Sequence, residues 1–204
     1  MKGYYFITDA GLSRGGNLHD VTQAARAGAA AIQYRAKQAS SRAMYEEAVI
    51  LKKECGKVPF IVNDRLDIAL AADADGIHVG QSDLPCLTVR RLIGPEKIIG
   101  VTVHTFEEAK TAERDGADYL GVSPIFATTT KPDALEPLGI SFIAELRRRT
   151  RLPLVAIGGI TRENVADVIT AGADAVCAIS AVVTHDDVFT TIRQFQELMR
   201  NATL

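Results

Sequence analysis

Eight short apolar runs recur along the chain, at residues 4–8 (YYFIT), 30–34 (AAIQY), 59–63 (PFIVN), 75–79 (DGIHV), 97–101 (KIIGV), 118–122 (DYLGV), 153–157 (PLVAI) and 175–179 (AVCAI). They are brief and continuous, the pattern of parallel strands covered on both faces. Between them lie amphipathic or alanine-rich segments, among them SRAMYEEAVILKKE, TFEEAKTAERD, ISFIAELRRR and TRENVADVITA, with DDVFTTIRQFQELMR after the last run. DLPCLTVRRLI, after the fourth run, has room only for a short helix. Eight strand candidates, each followed by a helix candidate, predict an α/β fold of one kind, a closed (β/α)8 TIM barrel rather than an open doubly wound sheet. The phrases RAGAAAI, RDGADYL and TAGADAV repeat one transition, a helix end, a glycine and then a strand. No linker, low-complexity stretch or charge block divides the 204 residues, so residues 1–204 are expected to form a single domain.

Several function classes are disfavoured by composition. The chain is 47% hydrophobic and 24% charged, which suits a soluble protein with a sizeable core. A net charge of -2 gives no general attraction to polyanions, and the seven Phe and five Tyr are scattered and core-like, with no base-stacking platform. Nucleic acid is therefore not an expected partner. No apolar run is long enough to span a bilayer, so no membrane partner is expected either. Cys55, Cys86 and Cys177 lie outside any CxxC spacing, and the N-terminus lacks a signal-like pattern; both favour a cytoplasmic location. Cys177 sits in an apolar run and reads as a small core residue.

In a barrel of this kind the C-terminal ends of all strands share one rim, where the loops build the active site. The second run ends in Gln33 and leads through Tyr34, Arg35 and Ala36 to Lys37. Alternation sends Gln33, Arg35 and Lys37 to one side, and two cations leaving an apolar strand suit a multiply charged phosphate. The structural alternative is a loop salt bridge with nearby acids. The third run ends in Asn63 with Asp64 beyond it, and the fourth is followed by Gln81, Ser82 and Asp83. Two carboxylates converging from adjacent strands suit Mg2+, a hard cation that takes oxygen ligands, water and substrate phosphates. The same aspartates could instead cap the helices begun by NDRLD and SDLP.

Farther along, VSPIFATTTKPDALEPLG offers Thr128, Thr129, Thr130 and Lys131, either in a loop that covers substrate or in a solvated connection. Gly158, Gly159, Ile160 and Thr161 follow the seventh run, and Ser180, Ala181 and Val182 follow the eighth. Loops at these two places form a common phosphate site in this fold. His78 and His104 lie near strand ends without the spacing of a zinc set; His78 reads as a satisfied interior histidine or a ligand contact, and His104 as a residue that orients substrate. The inventory holds two anion sites. One joins Gln33, Arg35, Lys37, Lys131 and the Mg2+, and the other joins the threonine loop, the Gly159 backbone and the exit of the eighth strand. Two phosphorylated small molecules would fit, with a diphosphate at the first.

The segments QYRAK, VNDRLDIALAADADGIHVGQSDLP, IGVTVHTFEEA, GADYLGVSPIFATTTKPDALEPLG, VAIGGI and ISAV carry a resemblance over nearly the whole chain. In order and content they resemble the thiamine phosphate synthase family. The resemblance implies a Mg2+-dependent transferase of thiamine biosynthesis. Such an enzyme joins an aminopyrimidine methyl diphosphate to a thiazole phosphate, or to its carboxylated precursor, giving thiamine phosphate and pyrophosphate. Matched position by position, it implies pyrimidine and diphosphate contacts at Gln33, Arg35, Lys37, Asn63, Thr102 and Lys131. Metal carboxylates are implied at Asp64 and Asp83, and thiazole-phosphate contacts at Thr128, Thr130, Gly159, Ile179 and Ser180. Arg35, Lys37, Lys131 and Thr102 would carry the catalytic roles.

Two positions depart from the family's pattern. Ala36 stands where an acid is common, and VTVH replaces VSAH, so that Thr102 keeps a hydroxyl but adds a methyl. A related thiazole tautomerase shares the barrel and one phosphate pocket, although it has no departing diphosphate to justify Asp64, Asp83, Lys37 and Lys131 together. A silent ligand-binding regulator and a sugar-phosphate barrel enzyme are the other readings. For oligomeric state a homodimer is the default expectation, and no helix stripe marks its interface.

Overall fold

The computed structural model describes residues 1–128, 130 and 135–203. Its strands are β1 (Gly3–Ile7), β2 (Ala31–Tyr34), β3 (Phe60–Asn63), β4 (Gly76–Val79), β5 (Ile98–Val103), β6 (Tyr119–Val122), β7 (Leu154–Ile157) and β8 (Ala175–Cys177). They are all parallel and close into one barrel in sequence order, β8 pairing with β1. Around it lie α1 (Gly16–Arg26), α2 (Ser41–Glu54), α3 (Leu66–Ala71), α4 (Cys86–Ile93), α5 (Phe106–Arg114), α6 (Gly139–Arg149), α7 (Val165–Thr170), α8 (Ser180–Val183) and α9 (Val188–Asn201). The chain is thus a single-domain (β/α)8 barrel.

Apolar side chains fill two separate spaces. The larger cluster lies between sheet and helices and includes Leu51, Phe60, Val89, Ile143 and Phe195. A smaller one, of Tyr5, Ile7, Ala31, Ile61, Tyr119, Val155, Ala175 and Cys177, fills the barrel. This second cluster explains why the strands lack polar alternation: both faces of the sheet are covered. Cys177 is buried as expected, and all three cysteines are free.

Two of the three glycine phrases, RDGADYL and TAGADAV, carry an aspartate with a structural role at the N-terminal end of the barrel. Asp75, Asp118 and Asp174 precede β4, β6 and β8, and each accepts a hydrogen bond from a backbone N–H in the first two residues of the preceding strand, at Phe60, Ile99 and Leu154 (2.7, 2.7 and 2.9 Å). Each also pairs with a cation from the helix two strands back, Lys52, Arg90 and Arg147 respectively. Gly172, at φ +111°, lies under Arg147, whose Cγ would sit 2.9 Å from an added Cβ. In TAGADAV the glycine therefore admits the arginine and the aspartate holds it.

Three boundaries differ from the sequence expectation. β5 continues to Val103, β8 stops at Cys177, and α7 begins at Val165. Beyond β8 the Ala178 carbonyl accepts from the Tyr4 hydroxyl at 3.1 Å and Ile179 already caps α8. Before α7 the Asn164 carboxamide accepts from the Thr161 N–H at 2.9 Å, which holds residues 161–164 as a turn.

Candidate active site

The C-terminal rim encloses a cavity of about 480 Å³. Gln33, Arg35, Lys37, Asn63, Asp64, Asp83, Thr102, Thr128, Thr130, Gly159, Ile179 and Ser180 all line it. Lys131 and Thr129 lie outside the described residues. Residues far apart in sequence therefore meet because parallel strands bring their C-terminal ends to one edge.

On the cationic side, Arg35 Nη1 stands 3.5 Å from Asp9 Oδ2, and Lys37 Nζ stands 3.5 Å from Asp64 Oδ2. Both cations thus make the loop ion pairs that sequence offered as an alternative, and both still face the cavity. The backbone N–H of Arg35 also donates to Thr8 Oγ1 at 2.9 Å, tying the strand exit to β1. Asp9 is a positioning acid that the sequence reading missed.

Asp64 has φ +62°, a left-handed conformation uncommon for a residue with a side chain, and its N–H donates to the His78 carbonyl at 2.8 Å. Burial pushes its carboxyl above the usual range, the neighbouring Asp83 carboxylate adds to the rise, and Lys37 opposes it. Asp83 Oδ2 accepts from the Gly80 N–H at 2.7 Å. Neither aspartate caps a helix: the positions preceding α3 and α4 are Arg65 and Pro85, without side-chain caps. Among the described residues no group of three or more His, Cys, Asp or Glu could hold a metal ion. Two adjacent carboxylate side chains, one of which ionises at a cost, nevertheless fit Mg2+, which completes its shell with water and phosphate oxygens.

Opposite this patch lie the loops after β6, β7 and β8. Gly158 and Gly159 have φ +99° and +62°, and a Cβ on Gly159 would lie 2.5 Å from the Ala127 carbonyl oxygen. The glycine pair is therefore required by close packing against the loop after β6, besides baring backbone at the cavity wall. Asn164 Nδ2 donates to the Gly159 carbonyl at 3.0 Å and fixes this loop from below. His104 also lines the cavity, and its Nδ1 donates to the Ser123 carbonyl at 2.6 Å. A capping box formed by Thr105 and Glu108 anchors it at the entry to α5, with Glu108 Oε2 accepting from the His104 N–H at 2.6 Å.

His78 is 4% exposed and bonded through both ring nitrogens, to Tyr119 Oη at 2.8 Å and Thr102 Oγ1 at 2.7 Å. Burial lowers its pKa to about 4, so the ring is neutral at physiological pH. It is both a satisfied interior histidine and part of the cavity wall. Tyr5 and Tyr119, taken from sequence as core aromatics, join this polar chain (Tyr5 Oη to Tyr119 Oη, 2.6 Å). A signal for them was present: KIIGV and DYLGV carry glycine inside a strand, a mark of close approach.

Comparison with known proteins points to one family. The family model for thiamine monophosphate synthase matches residues 4–182. A thiamine-phosphate synthase of Chloroflexus aurantiacus is 54% identical over 199 residues, covering 96% of this chain and 91% of its own. One from Methanosarcina barkeri is 50% identical over 198 residues, covering 97% and 90%. Among solved structures, a thiamine phosphate pyrophosphorylase from Pyrococcus furiosus superposes with a TM-score of 0.90 at 37% identity, over 98% of this chain and 96% of that one. No helix among the described residues is long and apolar enough to cross a membrane.

Proposed function

The chain belongs to the thiamine monophosphate synthase family of enzymes, and from that premise we propose how its cavity carries the coupling reaction. Residues 1–204 act as one catalytic unit. The aminopyrimidine methyl diphosphate lies across Gln33, Asn63 and Thr102, with its diphosphate toward Arg35, Lys37 and, by sequence match, Lys131. The thiazole phosphate lies toward Thr128, Thr130, the Gly159 backbone and the Ile179–Ser180 segment. The observation that carries this reading is the convergence of a cationic patch, a carboxylate pair and the β7 and β8 loops on one cavity of about 480 Å³.

The carbon–oxygen bond to the diphosphate breaks with its electron pair leaving on oxygen, and the thiazole nitrogen supplies the pair that forms the new carbon–nitrogen bond. Arg35 and Lys37 stabilise charge that grows on the departing oxygens, where preorganised cations act most strongly. Mg2+ held by Asp64 and Asp83 would supply further neutralisation and polarise the phosphate oxygens. Gln33, Asn63 and Thr102 hold the pyrimidine so that its methylene carbon faces the thiazole, and the two phosphate subsites fix the distance between the reactants. No protein nucleophile is needed, and His78, neutral at physiological pH, holds no imidazolium proton to act as a general acid.

The test is pyrophosphate release with both substrates present, with and without Mg2+, while thiamine phosphate is followed by chromatography. Equal amounts of both products, requiring both substrates and metal, are expected. Thiazole isomerisation without coupling would replace this reading with a tautomerase, and binding without turnover would replace it with a silent sensor.

A further inference from the structure

Five side chains cross the barrel interior in one unbroken line. Gln33 Nε2 donates to Tyr5 Oη at 2.9 Å, Tyr5 Oη meets Tyr119 Oη at 2.6 Å, Tyr119 Oη meets His78 Nδ1 at 2.8 Å, and His78 Nε2 meets Thr102 Oγ1 at 2.7 Å. Both ends of the line, Gln33 and Thr102, open on the cavity, whereas Tyr5 and Tyr119 do not. Their exposures of 0% and 1% leave no water to serve their hydroxyls. The space for the line is built into the sheet: a Cβ on Gly100 would lie 2.3 Å from Tyr119 Oη and 2.5 Å from His78 Nδ1. One on Gly121 would lie 2.9 Å from His78 Cε1.

With the Gln33 amide nitrogen facing Tyr5, the protons of such a line have one arrangement. Tyr5 accepts from Gln33, so its own proton goes to Tyr119; Tyr119 then donates onward to His78 Nδ1, which must be bare. A neutral imidazole with a bare Nδ1 carries its proton on Nε2 and donates to Thr102. Thr102 accepts, and its own hydroxyl proton is left to point at the cavity. At the other end one N–H of the Gln33 amide is committed to Tyr5, which fixes the amide's orientation and leaves its carbonyl oxygen as the acceptor it offers.

We propose that Tyr5, Tyr119 and His78 are positioning residues that act as a unit, fixing an acceptor at Gln33 and a donor at Thr102 so that the cavity selects a ring edge bearing an amino group beside an unprotonated ring nitrogen. This deepens the proposed function and rests on its placement of the aminopyrimidine. An oxo-pyrimidine, with the donor and acceptor of that edge exchanged, would face Gln33 and Thr102 with like groups. A buried site built to bond one pattern rejects the other because its own polar groups are left unpaired.

Two measurements test the line. In the first, nitrogen NMR of the histidine-labelled protein, with His78→Gln to assign the signal, reads the tautomer without any substrate. The Nε2–H form is expected, and the Nδ1–H form overturns the proposal. In the second, kcat/KM is compared for the aminopyrimidine methyl diphosphate and its oxo counterpart in wild type, Tyr119→Phe and Tyr5→Phe. Tyr119→Phe should lower the amino-to-oxo preference by about tenfold or more, the equivalent of one redirected hydrogen bond. The KM for thiazole phosphate should stay unchanged. A folded Tyr119→Phe protein with the wild-type preference overturns the proposal, and Tyr5→Phe, which interrupts only the Gln33 end, supplies the same test should Tyr119→Phe not fold. Wild-type protein that couples neither pyrimidine would remove the proposed function, while the tautomer would still decide the line.

Discussion

Asp64 combines an uncommon backbone conformation with a carboxyl whose charge is opposed by burial and by Asp83. Its folded-state pKa is raised, so whatever stability it lends is present at low pH and lost as pH rises through that value. Ionising Asp64 therefore costs the fold, a trade common at functional sites. Asp64→Asn should therefore raise the melting temperature of metal-free protein while weakening Mg2+. Changes to outer-shell partners alone cost roughly 10–100-fold in metal affinity, so loss of a direct ligand should cost at least that. Turnover titrated against Mg2+ measures the second effect, and unchanged turnover at limiting metal would remove Asp64 from the metal site. His78 has the opposite sign. Its pKa falls from 6.5 to about 4, so its contribution is intact above 6.5 and is lost as pH drops across that window, amounting to about 3 kcal/mol at most. Urea unfolding between pH 7 and 4 should show this loss, and His78→Gln should flatten it.

Among the elements, strands were the most legible, because a barrel strand needs only a short apolar run and a clear stop. Their ends were less so. β5 runs on through Thr102 and Val103 because β6 pairs with it there, Thr102 opposite Gly121, and no local property of VTVH announces that partner. The late start of α7 rests on one carboxamide, Asn164, folding back on residues ahead of it. Of the aspartate clamps at the N-terminal end, Asp118 and Asp174 were visible only as an echo of letters, and Asp75 lies outside that echo. Their energetic role separates cleanly from chemistry, since they lie at the end of the barrel away from the cavity. Asp174→Ala leaves the Leu154 N–H and Arg147 without their shared partner. Because Arg147 and Asp174 are about 28% and 34% exposed, the ion pair itself is weakened by solvent and the orphaned backbone group dominates. A loss of about 1–3 kcal/mol is expected in urea unfolding, with kcat close to wild type. A comparable fall in kcat at full folding would mean that the two ends of the barrel are coupled.

For the molecule as a whole, the rim was legible because chain direction alone carries it: once eight parallel strands are inferred, Gln33, Asp64, Asp83, Gly159 and Ser180 must share an edge. The barrel interior was less legible: the glycines of KIIGV and DYLGV signal a close approach, but Tyr5 and Tyr119 look like ordinary core residues until the positions opposite them are known. The closed topology also makes binding and folding one problem. Every strand gives the cavity a wall residue at its end or within one residue of it, from Ile7, Gln33, Asn63 and His78 to Thr102, Ser123, Ile157 and Cys177. A ligand seated there touches the exits of all eight strands, so it stabilises the barrel as a unit and not one loop. At a hundredfold excess over Kd, a ligand that binds only the folded chain adds about 2.7 kcal/mol. For a chain of this size that corresponds to a rise of roughly 5–10 °C in Tm. Inorganic pyrophosphate with Mg2+ should produce such a rise, and Mg2+ alone a smaller one, because only the complex engages Arg35, Lys37 and the carboxylate pair together. The rise should shrink as pH falls through the raised pKa of Asp64, where protonation competes with metal. A rise of equal size without Mg2+, or one independent of pH, would mean that the cations hold the diphosphate without the aspartates, and the metal would have to be sought elsewhere on the rim.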